Sequence, residues 1–134
     1  MNYFDTDVLI HSLVNQNLNL HLKTNDIIED MVTTNQFLIS WLSLQEIGFV
    51  LAKLNQPAPF ISSKLNSLIS SSPVQYGLPE FIRAAELAKT IGFKNLNDCL
   101  HTAIAEQHCT DLYTCNYKDF KHIQQLTSLN IHFL

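Results

Sequence analysis

The chain opens with Tyr3-Phe4-Asp5-Thr6-Asp7-Val8-Leu9-Ile10, in which a short apolar run gives way to three polar residues and then to an apolar trio. The first run has the composition of a buried strand, and the trio fits a helix that begins near Asp7. A strand followed at once by a helix is typical of a parallel α/β sheet. Asp5 is therefore expected at the carboxyl end of the first strand, the edge where such sheets bind ligands.

The rest of the chain alternates between strand-like and helix-like patterns. Helical spacing of apolar residues, with Pro and Gly as boundaries, predicts helices over residues 20–32, 46–54, 59–69, 79–91 and 96–104. Short apolar runs predict five strands: Asn2-Tyr3-Phe4, Phe37-Leu38-Ile39, Val74-Gln75-Tyr76, Leu112-Tyr113-Thr114 and Ile131-His132-Phe133. This order predicts a three-layer α/β/α sandwich around a short parallel five-stranded sheet, in a single domain over residues 1–134. Residues 20–69 hold more helix than one strand can cover, which favours a helical hairpin outside the sheet.

Four acidic residues fall where the predicted strands end or the following helices begin. Asp5 follows the first strand, Glu46 and Asp98 each open a helix, and Asp119 comes just after Leu112-Tyr113-Thr114. Carboxylates gathered at one edge repel one another unless a cation neutralises them. Their hard oxygen ligands suit Mg²⁺ or Mn²⁺. The pattern therefore predicts a metal site that acts on phosphodiesters.

Three of these acids also have a purely structural explanation. Asp5 can cap the helix that begins near Asp7. Ser43-Leu44-Gln45-Glu46 fits a capping box, in which Glu46 bonds back to the cap residue. Asp98 can simply favour the dipole of its helix. The metal site is therefore predicted from the shared edge and from no single acid, and His101 is interpreted as a buried packing histidine.

The composition limits the classes of partner. The 134 residues carry 8 Lys and Arg against 12 Asp and Glu, a formal charge of −4, whereas nucleic-acid binders usually have the opposite sign. Contact with RNA is therefore expected to be local, and Lys94, Lys118 and Lys121 near the acidic edge are the candidates for holding its backbone. Three cysteines without metal-type spacing predict a reducing, cytoplasmic environment. No apolar run is long enough to span a membrane.

Four segments resemble, in order and spacing, the motifs of PIN-domain ribonucleases, in particular the VapC toxins of bacterial toxin–antitoxin pairs. They cover essentially the whole chain. Asp7 stands where Asn is more usual, and its added negative charge leaves open whether it binds metal or weakens the approach of RNA. Asn116 stands where Asp is frequent. The matching segments are Tyr3-Phe4-Asp5-Thr6-Asp7-Val8-Leu9-Ile10, Ser43-Leu44-Gln45-Glu46-Ile47, Asn97-Asp98-Cys99-Leu100-His101-Thr102-Ala103 and Leu112-Tyr113-Thr114-Cys115-Asn116-Tyr117-Lys118-Asp119-Phe120.

The resemblance implies an endoribonuclease that depends on Mg²⁺ or Mn²⁺. Its metal-binding and catalytic acids are implied to be Asp5, Glu46, Asp98 and Asp119. Asn116 would position water or phosphate, while Thr6 and Thr114 would orient the carboxylates. The implied partners are an RNA substrate, a small antitoxin that inserts an Arg or Lys into the acidic site, and a second copy of the chain in a homodimer.

Two other functions fit parts of the sequence. Asp5-Thr6-Asp7 matches the D-x-D opening of haloacid-dehalogenase-like phosphatases, in which Asp5 would be the nucleophile and Asp7 the acid–base. That class also needs a later acidic pair, usually in a Gly-Asp context, and no Gly follows Gly92. The second alternative is a non-catalytic PIN-fold module that binds or regulates other proteins. Asn116 and the acidic composition favour it.

Overall fold

The computed structural model describes all residues from 1 to 134. Two 3-10 turns lie at Phe93–Asn95 and Gln124–Leu126. No helix in the chain combines the length and the apolar character needed to cross a membrane. The elements, in chain order, are β1 (Asn2–Phe4), α1 (Thr6–Leu13), α2 (Leu18–Thr33), β2 (Phe37–Leu38), α3 (Trp41–Lys53), α4 (Ala58–Ile69), α5 (Leu78–Ile91), α6 (Leu96–His108), β3 (Asp111–Thr114), α7 (Tyr117–Ile123) and β4 (Asn130–Phe133).

The four strands form one parallel sheet in the order β2-β1-β3-β4. Phe4 pairs with Tyr113 across β1 and β3, and Thr114 pairs with Phe133 across β3 and β4. Because all strands run the same way, their carboxyl ends meet at one edge of the sheet. The residues that follow β1 and β3 are therefore neighbours in space.

The predicted fifth strand, Val74-Gln75-Tyr76, does not form. Val74 makes a single bridge with Ser40, through its N–H to the Ile39 carbonyl at 3.0 Å and its carbonyl to the Trp41 N–H at 3.0 Å. Pro73 has no N–H to extend the pairing, and α5 begins four residues after Val74. The sheet therefore has four strands and not five.

The two faces of the sheet carry separate hydrophobic clusters. On β1, Tyr3 belongs to the cluster shared with α5, α6 and α7, whereas Phe4 belongs to the one shared with α1 and α3. Both side chains are fully buried, and successive residues of a strand point to opposite faces. The predicted arrangement of a sheet between two helical layers is thus confirmed.

Helix α3 begins earlier than the sequence suggested. Ser40 caps it: its hydroxyl accepts a hydrogen bond from the Ser43 N–H at 3.3 Å, and the Ser43 hydroxyl accepts one from the Ser40 N–H at 3.4 Å. Glu46 therefore lies in the second turn, and the predicted capping box from Ser43 to Glu46 is wrong. The carboxylate of Glu46 is free for contacts beyond its own helix. Helices α3 and α4 pack against each other, which agrees with the expected hairpin.

Candidate active site

Asp5 joins the ends of β1 and β3. Its N–H donates to the Tyr113 carbonyl at 3.0 Å, and its carboxylate accepts from the Thr114 hydroxyl at 2.9 Å and from the Thr6 N–H at 2.9 Å. The residue is 5% exposed. Asp5 therefore caps α1, as one interpretation of the sequence held, and at the same time places a carboxylate at the edge of the sheet.

Glu46 reaches this edge from α3. One of its carboxylate oxygens accepts from the Thr6 hydroxyl at 2.9 Å and also contacts Nε2 of His101. Its second oxygen accepts from the Asn97 amide at 3.4 Å. Three helices, α1, α3 and α6, thus converge on one carboxylate.

His101 lies at the centre of this convergence. It is 1% exposed, its Nε2 is 3.8 Å from the Asp5 carboxylate, and its Nδ1 is 2.7 Å from the Tyr3 hydroxyl. That hydroxyl is also 2.7 Å from the Ser40 hydroxyl, which caps the helix that carries Glu46. A buried hydrogen-bonded network therefore connects the start of α3 to the site.

The electrostatics make His101 and Glu46 an ion pair. Burial lowers the pKa of His101, but Tyr3, Glu46 and Asp5 outweigh it and hold that pKa well above its usual value. Burial raises the pKa of Glu46, but the bonds from His101, Thr6 and Asn97 bring it below its usual value. The sequence interpretation of His101 as a packing histidine was incomplete, because its partners are the site acids. Its spacing of three residues from Asp98, which puts both on one face of α6, was the available signal.

Asp98 and Asp7 complete a cluster of acids. A cavity of about 300 Å³ opens beside Asp5. Burial and the charge of Asp5 raise the pKa of Asp98 to about 7 and the pKa of Asp7 to about 8. Burial also raises the pKa of Asp5, against the opposing effect of His101. The cavity is lined by Asp5, Thr6, Asp7, Ile10, His11, Gln16, Val50, Asp98 and Asn116.

The last motif is organised around Asn116. Its amide donates to the Asp119 carboxylate at 3.0 Å, its carbonyl oxygen accepts from the Asp119 N–H at 3.3 Å, and its own N–H donates to the Thr114 hydroxyl at 3.0 Å. These bonds cap α7, a helix that the sequence analysis did not predict. Asp119 does not line the cavity, but its charge still contributes to the raised pKa of Asp98.

The structure thus gathers most of the predicted site residues at one edge. The cavity lining includes Asp5, Thr6, Asp98 and Asn116. The Thr114 hydroxyl donates a hydrogen bond to the Asp5 carboxylate. Glu46 and Asp119 lie beside these residues, each bound by a neighbouring side chain. The three predicted lysines, Lys94, Lys118 and Lys121, are exposed and form no ion pair, and Lys121 lies over the Tyr117 ring at 5.6 Å.

The donor set fits a hard divalent cation. Three carboxylates with raised pKa values share one small cavity, and the nearby His101 imidazolium is paired with Glu46. A bound Mg²⁺ or Mn²⁺ would relieve this repulsion with the oxygen ligands that it prefers. No three His, Cys, Asp or Glu side chains already form a ready coordination sphere, so the fit rests on ligand chemistry and charge.

Comparison with known proteins agrees with this arrangement. The family model of the PIN domain matches residues 3–126. The chain belongs to the PIN domain family. This family and its VapC-like members are nucleases, and the match excludes the haloacid-dehalogenase-like alternative, because it accounts for the same Asp5-Thr6-Asp7 segment within another fold. No protein in the comparison with curated sequences matches significantly.

Two solved structures share the PIN fold over the whole chain. VapBC2 from Rickettsia felis, crystallised with a DNA fragment from its promoter, is 21% identical, with a TM-score of 0.72 and coverage of 100% of this chain and 99% of that one. DNA-bound VapBC from Salmonella typhimurium is 13% identical, with a TM-score of 0.62 and coverage of 98% and 96%. At these identities the similarity shows the fold and does not transfer a function.

Proposed function

We propose that this PIN-family protein is an endoribonuclease that depends on Mg²⁺ or Mn²⁺. The observation that carries the proposal is the gathering of Asp5, Glu46 and Asp98 at the carboxyl edge of the sheet, with raised pKa values for Asp5 and Asp98. An acidic, partly buried cavity repels an RNA backbone unless a cation bridges the two. The acidic cluster therefore weakens RNA binding when no metal is present, and it becomes a binding site for phosphate once a cation is bound.

The residues of the site would have distinct roles. Asp5, Glu46, Asp98 and Asp119 would hold the cation. Once bound, the cation would polarise the phosphodiester and favour the attack of a water molecule.

The neighbouring side chains hold these acids in place. Thr114 and Thr6 fix the rotamers of Asp5 and Glu46 through their hydroxyls. His101 holds Glu46 beside the cavity, and Asn116 orients Asp119. Asp98 would also steer the attacking water toward the phosphate.

RNA binding would be local. The chain has a formal charge of −4, so the cation and a few lysines must supply the attraction. Lys94, Lys118 and Lys121 are exposed and unpaired, which leaves them available to phosphates. Neutralising one of them should weaken RNA binding uniformly across sequences and lower its salt dependence.

We further propose that the protein is the toxin of a toxin–antitoxin pair. Its fold is shared with two VapBC complexes, and an acidic site is a natural target for the Arg or Lys of a small antitoxin. Helices α3 and α4 also border an apolar pocket of about 630 Å³, lined by Trp41, Leu44, Gln45, Ile69 and Tyr76. Trp41 is 51% exposed there. The pocket would therefore offer apolar surface to a helix of the antitoxin, on the same helix that carries Glu46. The expected homodimer and cytoplasmic location rest on the resemblance and on three free thiols.

The deciding experiment compares RNA cleavage by the wild type and by Asp5→Asn, with Mg²⁺, with Mn²⁺ and with EDTA. Asn retains the side-chain oxygen that caps α1, so loss of cleavage would report on the metal role and not on folding. We expect cleavage only by the wild type with a divalent cation. A folded wild type that binds the product of a neighbouring antitoxin gene but cuts no RNA would support the non-catalytic module instead.

A further inference from the structure

The cavity beside Asp5 receives a different set of carboxylates from the set that the family motifs indicate. Three carboxylates line it, those of Asp5, Asp7 and Asp98. The other polar side chains of the lining are those of Thr6, His11, Gln16 and Asn116. Glu46 and Asp119 are held outside the lining, by His101 and Asn116 respectively.

Asp7 is placed against the segment that carries Asn116. One of its carboxylate oxygens accepts a hydrogen bond from the Cys115 N–H at 3.2 Å, so the two chain segments are in direct contact. Asp7 also lines the same cavity as Asp5 and Asp98. Its carboxylate therefore shares the space in which a cation would bind.

We propose that Asp7 is a cation ligand of this site and supplies the carboxylate that residue 116 lacks. The inference rests on the proposed metal-dependent function. It also explains two departures from the family pattern noted in the sequence, Asp7 in place of Asn and Asn116 in place of Asp, as a single exchange of charge between neighbours. Relative to the family pattern, the total number of carboxylates around the cavity is therefore unchanged.

The exchange leaves Asn116 with a hydrogen bond to Asp119 that an ionised aspartate could not donate. Its amide N–H₂ and its carbonyl oxygen both bond to Asp119. A carboxylate at position 116 would lose the donor and would repel Asp119. In this arrangement Asp7 binds the cation, while Asn116 binds Asp119 and caps α7.

The test is a titration of the full chain with Mn²⁺, followed by electron paramagnetic resonance of the free ion, which needs no RNA. The variants are Asp5→Asn, Asp7→Asn and the double variant Asp7→Asn/Asn116→Asp. Asp26→Asn, an exposed position on α2, is the matched control with the same change of charge. Far-UV circular dichroism confirms that each variant is folded.

We expect Asp7→Asn to weaken Mn²⁺ binding by at least about tenfold, since even groups that only support a ligand change metal affinity by about 10–100-fold. Asp26→Asn should bind as the wild type does, and the double variant should recover most of the lost affinity. Equal affinity in Asp7→Asn and the wild type, with loss in Asp5→Asn, would overturn the role of Asp7 alone. Failure of the double variant to recover would refute the exchange with residue 116. No Mn²⁺ binding by the wild type would refute the cation site itself.

Discussion

Replacing Asp98 by Asn should stabilise the metal-free protein. The pKa of Asp98 rises from 3.8 to about 7 in the fold, and each pKa unit corresponds to about 1.4 kcal/mol. Ionised Asp98 thus destabilises the fold by at most roughly 4 kcal/mol at pH 8. Because the side chain is partly exposed and the neighbouring acids titrate together with it, we expect the destabilisation to be about half of that value. Loss of the favourable helix-dipole interaction removes about 0.5 kcal/mol, which leaves a net gain of about 1.5 kcal/mol.

The assay is thermal unfolding in EDTA from pH 5 to pH 9. A gain of about 1.5 kcal/mol should raise the melting temperature of Asp98→Asn by about 5 °C for a chain of this size. The folded state binds the Asp98 proton more tightly than the unfolded state, so the difference should grow as the pH rises from 5 to about 7 and then level off. Asp26→Asn controls for the lost charge. If Asp98→Asn is no more stable than the wild type at pH 8, the acids do not repel one another as argued.

Three other predictions concern pH, catalysis and the partner. The metal-free wild type should lose stability as the pH rises from 5 to 8, because the pKa values of Asp98 and Asp7 are raised to about 7 and about 8, and saturating Mn²⁺ should flatten this profile in thermal unfolding. Glu46→Gln should lose RNA cleavage with a melting temperature within a few degrees of the wild type; full activity would remove Glu46 from the site. Trp41→Ala should weaken antitoxin binding in calorimetry but leave RNA cleavage unchanged, and unaltered binding would place the antitoxin elsewhere.

The sequence predicted the layers and the acidic edge because both depend on local pattern. Apolar runs identified all four strands, and the positions of Asp5 and Asp98 relative to strand and helix ends placed them correctly. The strand at Val74-Gln75-Tyr76 was wrongly predicted, because a short run of strand-forming residues does not reveal the partner strand that it needs, and Pro73 limits Val74 to a single bridge. The start of α3 was missed because Ser40 and Ser43 form the capping box, which displaced the expected one by three residues.

Contacts between distant segments could not be predicted in the same way. His101 meets Tyr3 and Glu46 across 98 and 55 residues of chain, and no local spacing encodes those separations. The sequence left the role of Asp7 open between metal binding and repulsion of RNA, since its contact with Cys115 depends on the pairing of β1 with β3. The gathering of the acids at one edge could thus be predicted from sequence, whereas the hydrogen bonds that connect them required the fold.

Two of the site's carboxylates accept hydrogen bonds from backbone N–H groups. The Thr6 N–H bonds to Asp5, and the Cys115 N–H bonds to Asp7. Amide proton and nitrogen frequencies respond strongly to the charge on a hydrogen-bond acceptor, so these two signals in a nuclear magnetic resonance spectrum are built-in reporters of site occupancy. A Mg²⁺ titration would move them together if one ion is shared by both carboxylates, and the order in which they move would reveal separate ions. The filling of the site can therefore be followed in the resting protein, one ligand at a time and without any substrate.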